Sequence, residues 1–166
     1  MAAEFRHLGS RFNIHLVASK EPLMQALEHV VAGVHSQPTQ RMPVINPATE
    51  QPVFEAPVAS TIDADFAIAE ANKAFLAWSA LSYSDRGAII AKIADAVEAD
   101  RDGFARMLTL EQGKPLPEAY FEVDYTIGFL RYFSQVQLNE RIVEDAETHE
   151  AVIRYRPHGV VIGISP

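Results

Sequence analysis

The chain has 166 residues, 48% hydrophobic and 22% charged, with a formal net charge of −8 and no cysteine. It is long enough for one domain with a real core, and its acid excess argues against nucleic acid or an anionic membrane surface as a partner. Disulfides, thiolate metal sites and thiol nucleophiles are excluded for these residues.

No apolar run reaches the length of a membrane span. Met1 to Gly9 lacks the charged head and apolar core of a secretion signal, so the cytoplasm is the expected compartment. Composition shifts near residue 42: residues 1–41 carry four Lys/Arg against three Asp/Glu and four of the six His, and the remainder carries ten against nineteen. Residues 1–41 therefore read as an amino-terminal extension, closing in the polar linker Ser36 to Arg41. Leu23, Leu27, Val30, Val31 and Val34 have helical spacing and predict one amphipathic helix there.

From residue 42 the chain reads as one unit. Val44 to Val58 holds two short β-rich runs around Asn46-Pro47, a turn-initiating pair, and its prolines confine the strands to an edge. Four helices follow. Ser60 and Asp63 resemble a capping box ahead of an apolar stripe of Ala64, Ala67, Ile68, Ala71, Phe75 and Trp78. Ser84 is the expected cap of the second, with Ile89, Ile90, Ile93, Ala94 and Val97 inward. Phe104, Met107 and Leu108 mark the third, which stops at Gly113-Lys114-Pro115 because glycine can take a left-handed cap and proline blocks continuation. The fourth, about Pro115 to Asn139, carries two stripes: Leu116, Ala119, Val123, Ile127 and Leu130 on one face, Phe121, Tyr125, Phe129 and Tyr132 on another. A helix apolar on two faces is sandwiched between layers or lines a tunnel; plain packing is the competing explanation for Phe129 and Tyr132. Residues 140–150 are acidic and predict a loop, Ala151 to Arg156 alternates as a strand does, and Gly159 to Pro166 reads as a buried parallel strand running into a loop.

The usual chemical signatures are missing. No histidine pair has a convincing metal-ligand spacing. Neither G-x-G-x-x-G nor G-x-x-x-x-G-K-[ST] occurs; Gly113-Lys114 ends a helix, which leaves Lys114 a carbonyl-capping role. The paired carboxylates Asp63/Asp65, Glu98/Asp100/Asp102 and Glu144/Asp145/Glu147 read as solvated charge. No serine sits on a glycine-flanked strand-to-helix elbow. The residues alone yield an α/β arrangement, a helical layer with edge strands joined to the first strand of a parallel sheet, and no reaction.

Five ordered stretches add a resemblance. They are Ile45-Asn46-Pro47-Ala48-Thr49, Ala74 to Ser79, Leu110-Glu111-Gln112-Gly113-Lys114-Pro115-Leu116, Leu130-Arg131-Tyr132-Phe133, and Arg156 to Pro166. Together they resemble the amino-terminal third of an NAD(P)-dependent aldehyde dehydrogenase, over about residues 43–166. The resemblance implies an incomplete aldehyde dehydrogenase fold, with residues 42–166 forming the first part of a cofactor domain built on a Rossmann-like parallel sheet. It implies that Ile164, Ser165 and Pro166 touch NAD or NADP, that Phe121 and Tyr125 line the aldehyde tunnel, and that Ala151 to Arg156 approach a sheet completed between subunits of a homo-oligomer. The family's cysteine nucleophile, glutamate base, glycine-rich turn and oxyanion asparagine have no counterpart in these residues. The resemblance thus assigns no catalytic residue and predicts a chain inactive by itself. Glu50 stands where relatives commonly carry glycine, so a differently shaped turn is expected there. A non-catalytic helical interaction module or degenerate aldehyde dehydrogenase relative, and a small helical ligand-binding protein using the aromatic face, are the competing readings.

Overall fold

The computed structural model describes residues 25–36 and 40–164. Strand β1 (Gln25–Ala26) and the hairpin β2 (His29–Val31) and β3 (Val34–Ser36) come first. Then β4 (Gln40–Asn46) and β5 (Gln51–Val58) form a second hairpin, followed by helices α1 (Thr61–Ala80), α2 (Tyr83–Ala99), α3 (Arg101–Gln112) and α4 (Leu116–Phe133). The hairpin β6 (Arg141–Ala146) and β7 (His149–Ile153) ends the assigned elements. The α/β class holds, with a helical layer and small, incomplete sheets.

Leu23 and Met24 lie outside the described residues; from Gln25 to Val34 the stretch expected as a helix holds strands and a turn instead. Val31 pairs with Val34 across Ala32 and Gly33, both with positive φ (52° and 77°). That two-residue connection matches the right-handed twist of a hairpin, and three β-branched valines suit the strands it joins. Helical spacing over so short a stretch was outvoted by turn chemistry. The residues 37–39 of the expected linker, like residues 1–24, lie outside the described residues.

The hairpin forms as expected, but its prolines do not confine both strands to an edge: β4 is an edge strand, whereas β5 is central in the order β1-β5-β4. Asn46 of β4 and Phe54 of β5 are buried. The Asn46 side chain accepts from the Ala48 N–H at 2.9 Å and its carbonyl from the Glu50 N–H at 2.8 Å, which winds the turn. Glu50 is held at φ 59°, so the position relatives give to glycine is one where a side chain is strained. Along the outer edge of β5 the parallel partner β1 reaches only Phe54 and Glu55. Pro52 and Pro57 bracket that stretch and have no N–H to offer a longer ladder. Arg41 ties the edge down, donating to the Leu27 carbonyl at 2.8 Å.

Helix α1 starts in the expected capping box, Ser60 and Asp63 satisfying each other's backbone N–H. Its apolar stripe is not inward: no residue of the helix is buried, and Ile68 and Trp78 of the stripe are exposed, because no described element packs firmly over it. Helix α2 is capped by Ser82 rather than Ser84; the Ser82 hydroxyl accepts from the Asp85 N–H at 3.1 Å. Ser84 lies one residue inside. Helix α3 ends as expected in Gly113, left-handed at φ 73°. Lys114 does not cap carbonyls; it pairs with Glu122 on α4.

The core sits where α2, α3 and α4 meet. Ala105, Ala119 and Val123 are buried, with Val97, Phe104, Leu108, Leu116, Tyr120 and Ile127 packed around them. The inner stripe of α4 is the expected one. Small side chains let the helices approach closely: a Cβ on Gly87 would lie 2.1 Å from the Ser134 carbonyl oxygen. That contact marks the end of α4 at Phe133, well short of Asn139.

Residues 140–150, expected as an acidic loop, form most of a hairpin with a register shift between Ile142 and Glu144. Every residue of β6 is exposed, so the pairing rests on the ladder and not on burial. The expected strand over Ala151 to Arg156 stops at Ile153. Residues 154–164 carry neither helix nor strand. The strand expected from Gly159 onward lacks a described neighbour to pair with, and Val161, Ile162 and Ile164 stand in solvent.

Candidate functional site

The outer face of α4 is the feature that sequence and structure single out together. Phe121 and Tyr125 stack with ring centroids 6.4 Å apart and planes 18° from parallel. Tyr125 continues to Phe129 at 5.2 Å, Phe129 to Phe133 at 5.4 Å, and Tyr132 meets Phe133 edge-on at 5.2 Å. All five rings are between 49% and 72% exposed, Phe121 the most. Packing within the described residues therefore does not account for them, Phe129 and Tyr132 included. Phe133 was missed on this face. Its spacing of four from Phe129 was the signal that could have found it.

The opposite side of α4 is bolted by charge. Arg101 makes a bidentate contact to Asp124, with Nη2 2.6 Å from Oδ2, and its guanidinium lies 4.5 Å above the Tyr120 ring. The Tyr120 hydroxyl donates to Asp102, which also accepts from Arg106 at 2.7 Å. Arg131 reaches back to Glu98 at 2.7 Å and to Asp95 on α2. The carboxyl of Asp102 is held below its ordinary range by the Arg106 bond and then by Tyr120, and Asp124 is lowered by Arg101. The bond to Asp102 raises the Tyr120 phenol. These groups orient α4 against its neighbours, and none is enclosed as a general acid or base must be.

Of the expected cofactor contacts, Ile164 is 94% exposed, and Ser165 and Pro166 lie outside the described residues. Around Ile164 a dinucleotide would find one apolar side chain and the open flank of Gly163, with no cradle for phosphates or ribose. The described residues do not by themselves fit NAD or NADP, and no step is assigned through it. Among the described residues no cluster of three or more His, Cys, Asp or Glu could hold a metal ion. His35 bonds Glu28 at 2.8 Å. No helix among the described residues is long and apolar enough to cross a membrane.

Known proteins place this architecture. The sequence model of the aldehyde dehydrogenase family matches residues 34–166. A probable aldehyde dehydrogenase of a Pseudomonas species is 38% identical over 125 residues, covering 75% of this chain and 26% of that protein. A D-glyceraldehyde dehydrogenase (NADP(+)) of Thermoplasma acidophilum is 31% identical, over 80% of this chain and 28% of its own length. Among solved structures, betaine aldehyde dehydrogenase of Staphylococcus aureus in complex with NAD+ superposes with a TM-score of 0.67 at 26% identity, over 71% of this chain and 25% of that one. An aldehyde dehydrogenase of Brucella melitensis gives 0.70 at 28% identity, over 78% and 28%. The chain spans about a quarter of the length of these relatives. With its β4–β5 hairpin, its glycine-capped α3 and its two-faced α4 all inside the matched region, the chain belongs to the aldehyde dehydrogenase family.

Proposed function

We propose that this chain is the amino-terminal part of an NAD(P)-dependent aldehyde dehydrogenase that oxidises an aldehyde to a carboxylic acid. The observation that carries the reading is the family match over residues 34–166. Residues 1–41 act as an amino-terminal extension and 42–166 as the first part of the cofactor-binding domain. One relative is named for NADP and one structural neighbour was solved with NAD+, which supports NAD or NADP as the cofactor of the whole enzyme.

Within that reading Phe121 and Tyr125 form one wall of the aldehyde's path and keep water from it. Ile164, Ser165 and Pro166 contact the cofactor by backbone and apolar surface. The exposed hairpin of β6 and β7 contributes to a sheet shared between subunits of a homo-oligomer, in the cytoplasm. None of the 166 residues is a cysteine, so the thiolate attack on the aldehyde has no agent here. The chain by itself is inactive.

The test is aldehyde-dependent formation of reduced nicotinamide, read by absorbance, for the 166-residue chain and for the full gene product. The expected result is none from the first and turnover from any product that extends into a cysteine-bearing remainder. Turnover by the cysteine-free chain would overturn the reading, as would an extended product that oxidises no aldehyde. A second reading, a non-catalytic interaction module, is favoured by the unburied apolar face of α1 and the exposed β6. It requires association: sedimentation of the 166-residue chain as a folded monomer at every concentration would eliminate it.

A further inference from the structure

Helix α4 carries a row of aromatic rings that no described element buries. Phe121, Tyr125 and Phe129 follow at four-residue spacing, with centroids 6.4 and 5.2 Å apart. The eight residue steps from first to last span about 12 Å of helix, room for a substituted or fused ring system. Exposed ring faces and edges attract another ring by offset stacking or edge contact. Gly128 lies next to Phe129 inside the helix, where glycine is unfavourable. A Cβ there would meet nothing within 4 Å, so no neighbour within the described residues demands the glycine. Its missing side chain leaves the flank of the row open to a flat group.

Charge narrows the ligand. Lys114, Arg101 and Arg131, the cations that α4 carries or pairs with, each already hold a carboxylate, on Glu122, Asp124 and Glu98 respectively. The helical spacing puts Glu118 and Glu122 on the same side as the rings. A ligand carboxylate brought there would gain no new ion pair and would meet acid.

We infer that the aldehyde received by this face is an uncharged, planar aromatic one, stacked along Phe121, Tyr125 and Phe129. The aldehyde group rests on the function proposed above; the ring and the absence of charge rest on α4 alone.

Two probes share a ring and differ in charge: 4-methoxybenzaldehyde and 4-carboxybenzaldehyde. Each is titrated into the full gene product, with binding followed by intrinsic fluorescence and turnover measured alongside with NAD and NADP. The methoxy probe is expected to bind about tenfold more tightly. Phe121→Ala and Tyr125→Ala should weaken it roughly three- to tenfold and leave the carboxy probe unmoved. Gly128→Leu, whose Cβ would meet no described atom within 4 Å and which raises helix propensity, should weaken the methoxy probe as well while leaving the carboxy probe unmoved; a purely structural role for this face would weaken both. Equal affinities, preference for the carboxylate, absence of saturable binding, or indifference to all three variants would each overturn the inference. Binding with the expected preference but no turnover would sink the oxidoreductase reading and leave the ligand class standing. Turnover that favours 4-carboxybenzaldehyde would do the reverse.

Discussion

Helices α1 and α4 are close in length, 20 and 18 residues, and the sequence writes an apolar stripe on each. Only α4 sinks one. Its Ala119 and Val123 are buried against α3, while α1 buries nothing despite a complete capping box. The difference lies in the neighbours. Helix α4 meets two helices across alanine and glycine contacts, with Arg101, Arg131 and Lys114 as cross-links; α1 has caps and periodicity but no firmly packed partner among the described residues. Local signals therefore form a helix, and burial is a separate decision.

That contrast can be broken at its closest contact. Gly87→Ala pushes a methyl into the Ser134 carbonyl and should destabilise the bundle by about 3 kcal/mol, read by denaturant unfolding. A change of under half that would show that α2 and α4 can part freely. Gly113→Val adds left-handed strain and a Cβ 2.7 Å from Pro47, and is expected to cost about 2 kcal/mol; an unchanged melting temperature would place the stop of α3 elsewhere. The two faces of α4 separate next. Val123→Ala should lose about 1.5 kcal/mol of stability, whereas Tyr125→Ala should stay within about 0.5 kcal/mol. Comparable losses would mean that the aromatic row is core after all. In the opposite direction, Glu50→Gly should stabilise by about 1 kcal/mol, since it relieves a left-handed side chain, and a lower melting temperature would contradict the strained turn.

The smallest effect is in acid. Asp102 and Asp124 have folded pKa values below their ordinary ones, chiefly through bonds from Arg106 and Arg101. Their contribution is therefore present above the unfolded carboxylate pKa of about 4 and is lost as pH falls through the lower folded values. Melting temperature followed downward from neutral pH should drop more steeply in wild type than in Asp124→Asn, and parallel curves would deny Asp124 that role. Helix α1 offers the contrast through its cap. Asp63 is lowered by its Ser60 bonds, yet its titration should barely move global unfolding, because α1 adds little to the core.

Much of this was legible beforehand, for reasons that differ by element. Ser60 with Asp63, and Gly113 before Pro115, are caps whose chemistry acts within a few residues, so they could be read directly. The inner stripe of α4 was legible because period 3.6 persists over four turns. The stretch from Leu27 to Val34 was not, since eight residues of apolar spacing suit a helix or a hairpin, and Ala32 and Gly33 at positive φ settled it. The acidic run 140–150 concealed a hairpin because pairing there depends on a partner strand and not on composition. Within the candidate site, Phe121 and Tyr125 were legible and their stacking was not. Phe133 was missed although it follows Phe129 by four residues, and the ring contact at 5.4 Å added it to the row.

Caps, turn residues, the periodicity of the long helices and the absence of a thiol were settled by the amino acids in their order, because each acts through near neighbours or through identity alone. Tertiary structure decided which apolar stripe became core, which cation met which carboxylate, and that the aromatic row of α4 faces outward. Those outcomes depend on surfaces brought together from distant parts of the chain, where a methyl at Gly87 or a proline against Gly113 matters more than any local preference.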